Sequence, residues 1–278
     1  MSSPEWPVRL FNRSVLKQRK FREITNYLGN THGLSCLDIG ADNGVISYLL
    51  RQQGGTWQSA DLDEQTVAAI RLLVEQEVYQ IDGRHTPFRD QAFDRVIIVD
   101  FLEHIHTDRE FIDEVYRIMK PGGVLILNVP HAKRSLLRQI RLAIGQTDEK
   151  HGHVRPGYTA AELQALLGQQ FSIVGMHTYS KFFSECIDTL ITAAVDWLKR
   201  GGNASAKGRV VTGNDLGKYQ NMFKIYSIIY PIMWLFAQLD RLLFWCSGYM
   251  MIVKATTVKE SHRVMIASTL MDGESMQA

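Results

Sequence analysis

The chain has no apolar run long enough to span a membrane as a simple helix. Its charge-free stretch, Ile225 to Leu239, has 15 residues and contains Pro231, against the roughly 18 to 20 apolar residues a spanning helix needs. Cysteine is scarce. Cys36, Cys186 and Cys246 sit in apolar contexts without metal-ligand spacing. That excludes a disulfide framework and predicts buried free thiols in a reducing compartment. Neither sign of charge dominates: 31 Lys and Arg face 29 Asp and Glu, a net of +2. Composition therefore gives no reason to expect nucleic acid, and no aromatic-basic binding module is visible. The opening residues, MSSPEWPVRLFNRS, lack the apolar core of a signal peptide. The expected location is the cytoplasm, with the inner face of a membrane as the alternative.

The organising stretch is residues 34–44, LSCLDIGADNG. Leu34 to Ile39 reads as a buried parallel strand. The chain breaks at Gly40 and resumes after Gly44 as a helix. Strand, glycine turn and helix make half of a βαβ nucleotide-binding unit, in which glycine lets backbone approach a ligand closely. A third glycine is missing: G-A-D-N-G is not G-x-G-x-x-G, which argues against a pyrophosphate cofactor and so against a nicotinamide oxidoreductase. Asp38 and Asp42 would repel a diphosphate and would suit an ammonium or a sulfonium. Asp61, at the end of the next strand, can take both hydroxyls of a ribose.

Around this unit the chain alternates. One helix is predicted over 8–28, with a basic stripe of Arg9, Arg13, Lys17 and Lys20 that is either a solvated face or a contact for an anionic surface. Strands follow at 34–39, 56–60, 78–81, 95–99 and 124–129. Helices fall near 43–53, 64–74 and 107–119, the last stopped by Lys120-Pro121-Gly122-Gly123. This is an α/β fold, a Rossmann-like doubly wound, mostly parallel sheet. Such sheets bind ligands at the carboxyl ends of their strands, where Gly40, Asp61, Asp82, Asp100 and Asn128 fall.

The segments LDIGADNG, SADLD, DGRHTPFRDQAFDRVIIVDFLEHI and IMKPGGVLILNVPH resemble class I S-adenosylmethionine-dependent methyltransferases. The resemblance is nearest to the quinone-biosynthesis-like, type 11 branch, and it departs where Asp42 replaces the usual middle glycine. It implies that Asp38, Gly40 and Gly44 hold the methionine end of S-adenosylmethionine and that Asp61 and Leu62 take the ribose. Asp82 and Gly83 would lie by the adenine, with Asp100 and Phe101 flanking the cofactor near the substrate opening. No metal is implied. Glu103 and His104 read as a helix-start acid and a structural histidine, although His104 could face the reacting centre.

Beyond the fifth strand, His131, Lys133 and Arg134 leave the sheet edge, a helix follows with Arg138 and Arg141 on its basic face, and then comes HGHVRPGY at 151–158. Methyl transfer to a hydroxyl needs a proton acceptor. Histidine titrates near neutrality, so His131, His151 and His153 are the candidates, each with surface loop chemistry as the plain alternative. Strands at 171–179 and 248–255 complete seven, and similar enzymes pair these two as an antiparallel edge. Between them lies a helical insertion: an amphipathic part at 182–199, a linker at 200–217, and the apolar 218–246. The domain reading is a basic N-terminal helix, 1–30; a cofactor-binding core, 31–180; the insertion, 181–247; the last core strand, 248–256; and a polar tail, 257–278. The function expected is O-methylation of an amphiphilic or membrane-associated acceptor such as a lipid, a quinone-like ring or a lipid-linked glycan, with peripheral membrane contact through 218–246 and the basic 9–20 stretch. The alternatives are a soluble-metabolite methyltransferase whose insertion forms a homodimer interface, and a non-catalytic binding protein that keeps the fold.

Overall fold

The computed structural model describes residues 5–40, 43–133, 135–143, 145, 147, 152–200 and 216–259. Asp42, Arg134, His151, the linker over 201–215 and the tail beyond 259 lie outside the described residues. The helices are α1 (Glu5–Phe11), α2 (Val15–Leu28), α3 (Val45–Arg51), α4 (Glu64–Val74), α5 (Asp108–Ile118), α6 (Leu136–Ala143), α7 (Ala160–Leu167), α8 (Phe182–Arg200) and α9 (Leu216–Gln238). The strands are β1 (Ser35–Ile39), β2 (Thr56–Asp61), β3 (Val78–Gln80), β4 (Phe93–Val99), β5 (Met119–Pro130), β6 (Phe171–Tyr179) and β7 (Met250–Thr257).

They form one seven-stranded sheet in the order β3-β2-β1-β4-β5-β7-β6. The pairs β1–β2, β2–β3, β1–β4 and β4–β5 are parallel. Only β7 reverses, antiparallel to both β5 and β6, so the sheet is mixed. The strand order switches direction between β1 and β4, and a sheet of this kind opens its crevice at such a switch.

Side-chain alternation sorts the core into two layers. Leu37, Ile39, Val96, Ile98, Leu125 and Leu127 point to the side covered by α5 and α7. Cys36, Ile97, Val99 and Ile126 point to the other side, where Ile24 and Leu28 of α2 and Leu50 of α3 pack. Burial pushes the Cys36 thiol up to about 12, which leaves it protonated and inert. Cys186 and Cys246 are also free but only half-buried, a departure from the expected burial.

Two expectations need correction. The single helix over 8–28 is two helices. Ser14 has extended backbone, and its hydroxyl accepts from the Lys17 amide as an N-cap. The helical spacing of apolar residues continues across this break and hides it. The strand expected at 124–129 begins at Met119. Met119 pairs with Phe93, and the register shifts between Phe93 and Arg95, so the Pro-Gly-Gly turn lies inside a bulged strand.

Acids pin the periphery of this core. Asp94 accepts from the Ser35 amide at 2.9 Å and from Lys120 Nζ at 2.7 Å. Burial pushes its carboxyl up, but Lys120 and the Ser35 amide outweigh burial and hold it low. Glu114 behaves alike: burial raises it, and Arg117 and Thr86 bring it below its ordinary value. A carboxylate depressed in the folded state stabilises fully above its unfolded pKa and loses that stabilisation as pH falls through the folded value. The urea midpoint is therefore expected to hold from neutrality down to about pH 5 and to fall below about pH 4. An Asp94→Asn/Glu114→Gln variant should lose much of that slope, and an unchanged slope would remove these two acids from the account.

Candidate active site

At the switch between β1 and β4 the chain leaves β1 through Gly40, whose φ is +80° and whose N–H donates to the Ala60 carbonyl at 3.1 Å. A Cβ on Gly40 would lie 2.3 Å from the Val99 carbonyl oxygen and 2.9 Å from Phe101 Cβ. Glycine here is required by the strand beside it. Gly44 caps α3 in the left-handed region, and a Cβ there would meet Ile70 Cα at 2.8 Å. The turn is thus pressed between β4 and α4 by residues with no side chain to spare.

Asp38 is fully buried. Its oxygens accept from Ser47 Oγ at 2.6 Å and Ser59 Oγ at 2.8 Å, and Arg51 Nη1 stands 3.5 Å away. Burial pushes this carboxyl up against the pull of Arg51 and the two hydroxyls. Asp38 braces β1, β2 and α3 from within. Its charge faces Arg51, so it does not supply the acidic face that the sequence reading gave it. Asp42, the other acid of that reading, lies outside the described residues.

The register places Asp61 beside the turn, because Ile39 pairs with Ala60. Its Oδ1 accepts from the Leu62 amide at 2.8 Å. Asp82 is exposed, and the His85 and Arg84 amides, both at 2.7 Å, hold its carboxyl below the ordinary value. Gly83, at φ +77°, is buried. A Cβ on it would meet Ile105 Cγ2 at 2.9 Å and Leu62 Cδ2 at 3.3 Å. Leu62, Gly83 and Ile105 therefore make a small apolar floor next to Asp61.

Asp100, at the end of β4, has φ +46°, a region where a non-glycine residue is strained by about 1 kcal/mol or more. It is held there by Asn128 Nδ2 at 3.0 Å and by Lys20 Nζ. Asn128 in turn accepts from the Tyr179 hydroxyl, which is buried and raised well above its ordinary value, first by burial and then by Asp100. Lys20, Asp100, Asn128 and Tyr179 thus link α2, β4, β5 and β6 at one edge. Lys20 was legible only as one cation of a stripe, and its partner lies 80 residues away. Phe101 is buried, with its ring 4.8 Å from that of Phe111 and its Cβ against Gly40.

The histidines separate. His131 leaves β5 at the same sheet edge and is half-buried, with Nδ1 2.9 Å from the Gly248 carbonyl. A carbonyl only accepts, so Nδ1 carries a proton, and in the neutral ring Nε2 holds the lone pair. His153 goes elsewhere: its ring meets that of His104 at 4.7 Å, and one donor atom each from Glu103, His104 and His153 lie within 4.8 Å of one another. His104 Nδ1 bonds the Gly152 carbonyl at 2.9 Å. His151 is outside the described residues.

Residues 37–127 match a protein family described as methyltransferase domain. A ubiquinone biosynthesis O-methyltransferase of Ruegeria pomeroyi is 27% identical over 177 residues, 61% of this chain and 63% of the relative. One from Acinetobacter baylyi is 25% identical over 169 residues, 55% of this chain and 71% of the relative. The chain thus spans less than two thirds of the first of these relatives. A SAM-dependent methyltransferase of Archaeoglobus fulgidus superposes with TM-score 0.53 at 19% identity, covering 88% of this chain and 94% of its own. That likeness establishes the fold. Residues 37–127 thus carry the likeness to a methyltransferase domain of the type 11 family, and the fold is that of the solved methyltransferase.

Proposed function

We propose that this protein is an enzyme that methylates an oxygen of an amphiphilic acceptor, with S-adenosylmethionine as donor. The observation that carries the reading is the juxtaposition at the carboxyl edge of β1, β2 and β4: a glycine turn locked between neighbouring elements, Asp61 beside it, and an apolar floor next to Asp61. That donor set fits a nucleoside. Asp61 takes the ribose hydroxyls, with Leu62 at its side. Leu62, Gly83 and Ile105 support the adenine, with Asp82 at the rim. Gly40 and Gly44 carry backbone past the methionine end, and Asp38 fixes the turn from beneath. When bound, S-adenosylmethionine supplies an electrophilic methyl group on a sulfonium sulfur. The protein's part is alignment of acceptor and donor and exclusion of water. His131 Nε2 is the group that takes the acceptor's hydroxyl proton, because its tautomer is already set by Gly248. The names of the relatives support oxygen as the accepting atom. The amphiphilic acceptor rests on those names and on the apolar helices next to the edge.

Calorimetric titration of the full chain with S-adenosylmethionine tests the reading. Asp61→Ala is expected to weaken binding by about tenfold to a hundredfold, as befits two lost hydrogen bonds to a carboxylate. A folded wild type that binds no S-adenosylmethionine would overturn it. His131→Ala should leave that affinity unchanged and lower kcat by about a hundredfold or more. An unchanged kcat would remove His131 from the reaction.

A further inference from the structure

One side of α9 is committed to the protein. Arg13 donates to Ser227 Oγ at 3.2 Å and lies over the rings of Phe223 and Tyr230. Trp6 meets Phe223 edge-on, and Tyr230 bonds Gln18. The opposite side holds Ile225, Ile228, Ile232 and Leu235, spaced by three and four residues and therefore on one helical face. All four are exposed, Ile228 by 74%. The turn after α9 ends in Phe244 and Trp245, exposed by 80% and 68%, with ring centroids 4.6 Å apart. Large exposed apolar side chains concentrated in one segment like this mark a contact.

Charge tells what the contact is. Within 223–247 the one acid is Asp240, and it faces inward. Its carboxylate accepts from the Lys181 and Phe183 amides at 2.8 and 2.9 Å, capping α8. The exposed cations Lys224 and Arg241 bracket the apolar face. On the side of α9 that faces α2, a cavity of about 150 Å³ is lined by Arg19, Arg22, Lys181 and Arg241 together with Asp240. A two-fold contact between copies would oppose this patch to itself, bringing Lys224 and Arg241 against a segment whose one acid, Asp240, is already engaged in capping α8. An anionic lipid surface supplies both partners: acyl chains for the isoleucines and aromatics, and phosphates for the cations.

We infer that the outer face of α9, with Phe244 and Trp245 at its tip, is a docking surface for an anionic bilayer. The surface lies outside the proposed transfer site, and docking requires no methyl transfer. Flotation of the full chain on vesicles tests it, using phosphatidylcholine alone and an equimolar mixture with phosphatidylglycerol, without S-adenosylmethionine. Wild type should float with the anionic vesicles, about tenfold less with the neutral ones, and less as salt rises. Phe244→Ser/Trp245→Ser should weaken anionic flotation by at least about tenfold, and Ile228→Ser/Ile232→Ser should do the same. Circular dichroism melting confirms that the variants fold. Failure of folded wild type to float, or flotation unchanged in both folded variants, would overturn the inference. So would sedimentation showing a dimer, in the absence of flotation, that both pairs of substitutions dissolve. S-adenosylmethionine titrations of the same variants should match wild type. Binding without flotation would sink the docking surface alone, and flotation without binding would sink the transferase alone.

Discussion

Gly40→Ala is expected to destabilise the protein by about 3 kcal/mol and to weaken S-adenosylmethionine binding at least tenfold. The new methyl would sit 2.3 Å from the Val99 carbonyl oxygen, inside contact distance of an atom that belongs to a central strand and cannot rotate away. Relief requires β1 to part from β4 at Gly40 or the turn to swing outward. Either costs about 1 to 3 kcal/mol by analogy with overpacked cores. A φ of +80° adds about 1 to 2 kcal/mol for any residue with a Cβ. Gly122→Ala separates the two contributions, because Gly122 has φ +68° and nothing within 4 Å of the added carbon. It should pay only the conformational cost, about 1 kcal/mol, and leave binding untouched. Urea unfolding and calorimetry of the two variants decide the matter. Equal destabilisation would mean that close packing against Val99 is not what demands glycine at Gly40.

What was readable in the chain was local. Parallel strands buried on both faces appear as unbroken apolar runs, so β1 and β4 announced themselves. Their alternation with amphipathic segments gave the sheet and the edge where Gly40, Asp61 and Asp100 gather. The turn between α1 and α2 carried a readable signal, Asn12-Arg13-Ser14, but an uninterrupted helical spacing of apolar residues outweighed it. What escaped was pairing across distance. Lys20 reaches Asp100, His153 reaches His104, and Asp240 caps a helix that begins nearly sixty residues earlier. In a sequence each is merely a charged or polar residue beside others. Asp38 shows the same limit in another form. Its position in the strand was plain, yet whether it faced a ligand or an arginine depended on Arg51, about two turns past the end of the glycine motif, at the far end of α3.

The Asp38–Arg51 pair sets the second large effect. Arg51→Met is expected to cost about 3 to 5 kcal/mol near neutral pH, the range for removing one partner of a buried ion pair. The guanidinium also donates to Ser59 Oγ at 2.9 Å and to the Ser47 and Trp57 carbonyls, so its loss unties β2 from α3 as well. Without it, the carboxyl that burial already pushes up rises further. Its protonation then relieves the buried charge. A carboxyl raised in the folded state stabilises below its unfolded pKa, and that contribution disappears as pH rises through the folded value. The gap in stability between Arg51→Met and wild type should therefore narrow as pH drops from about 8 toward about 5. Asp38→Asn/Arg51→Met should be more stable than Arg51→Met alone near neutrality, and its own stability should carry no pH dependence from position 38, since the amide cannot ionise and can still accept from Ser47. Chemical denaturation of the three proteins across pH tests this. A pH-independent deficit in Arg51→Met would show that the lost hydrogen bonds of the guanidinium, and not the stranded charge of Asp38, dominate the cost.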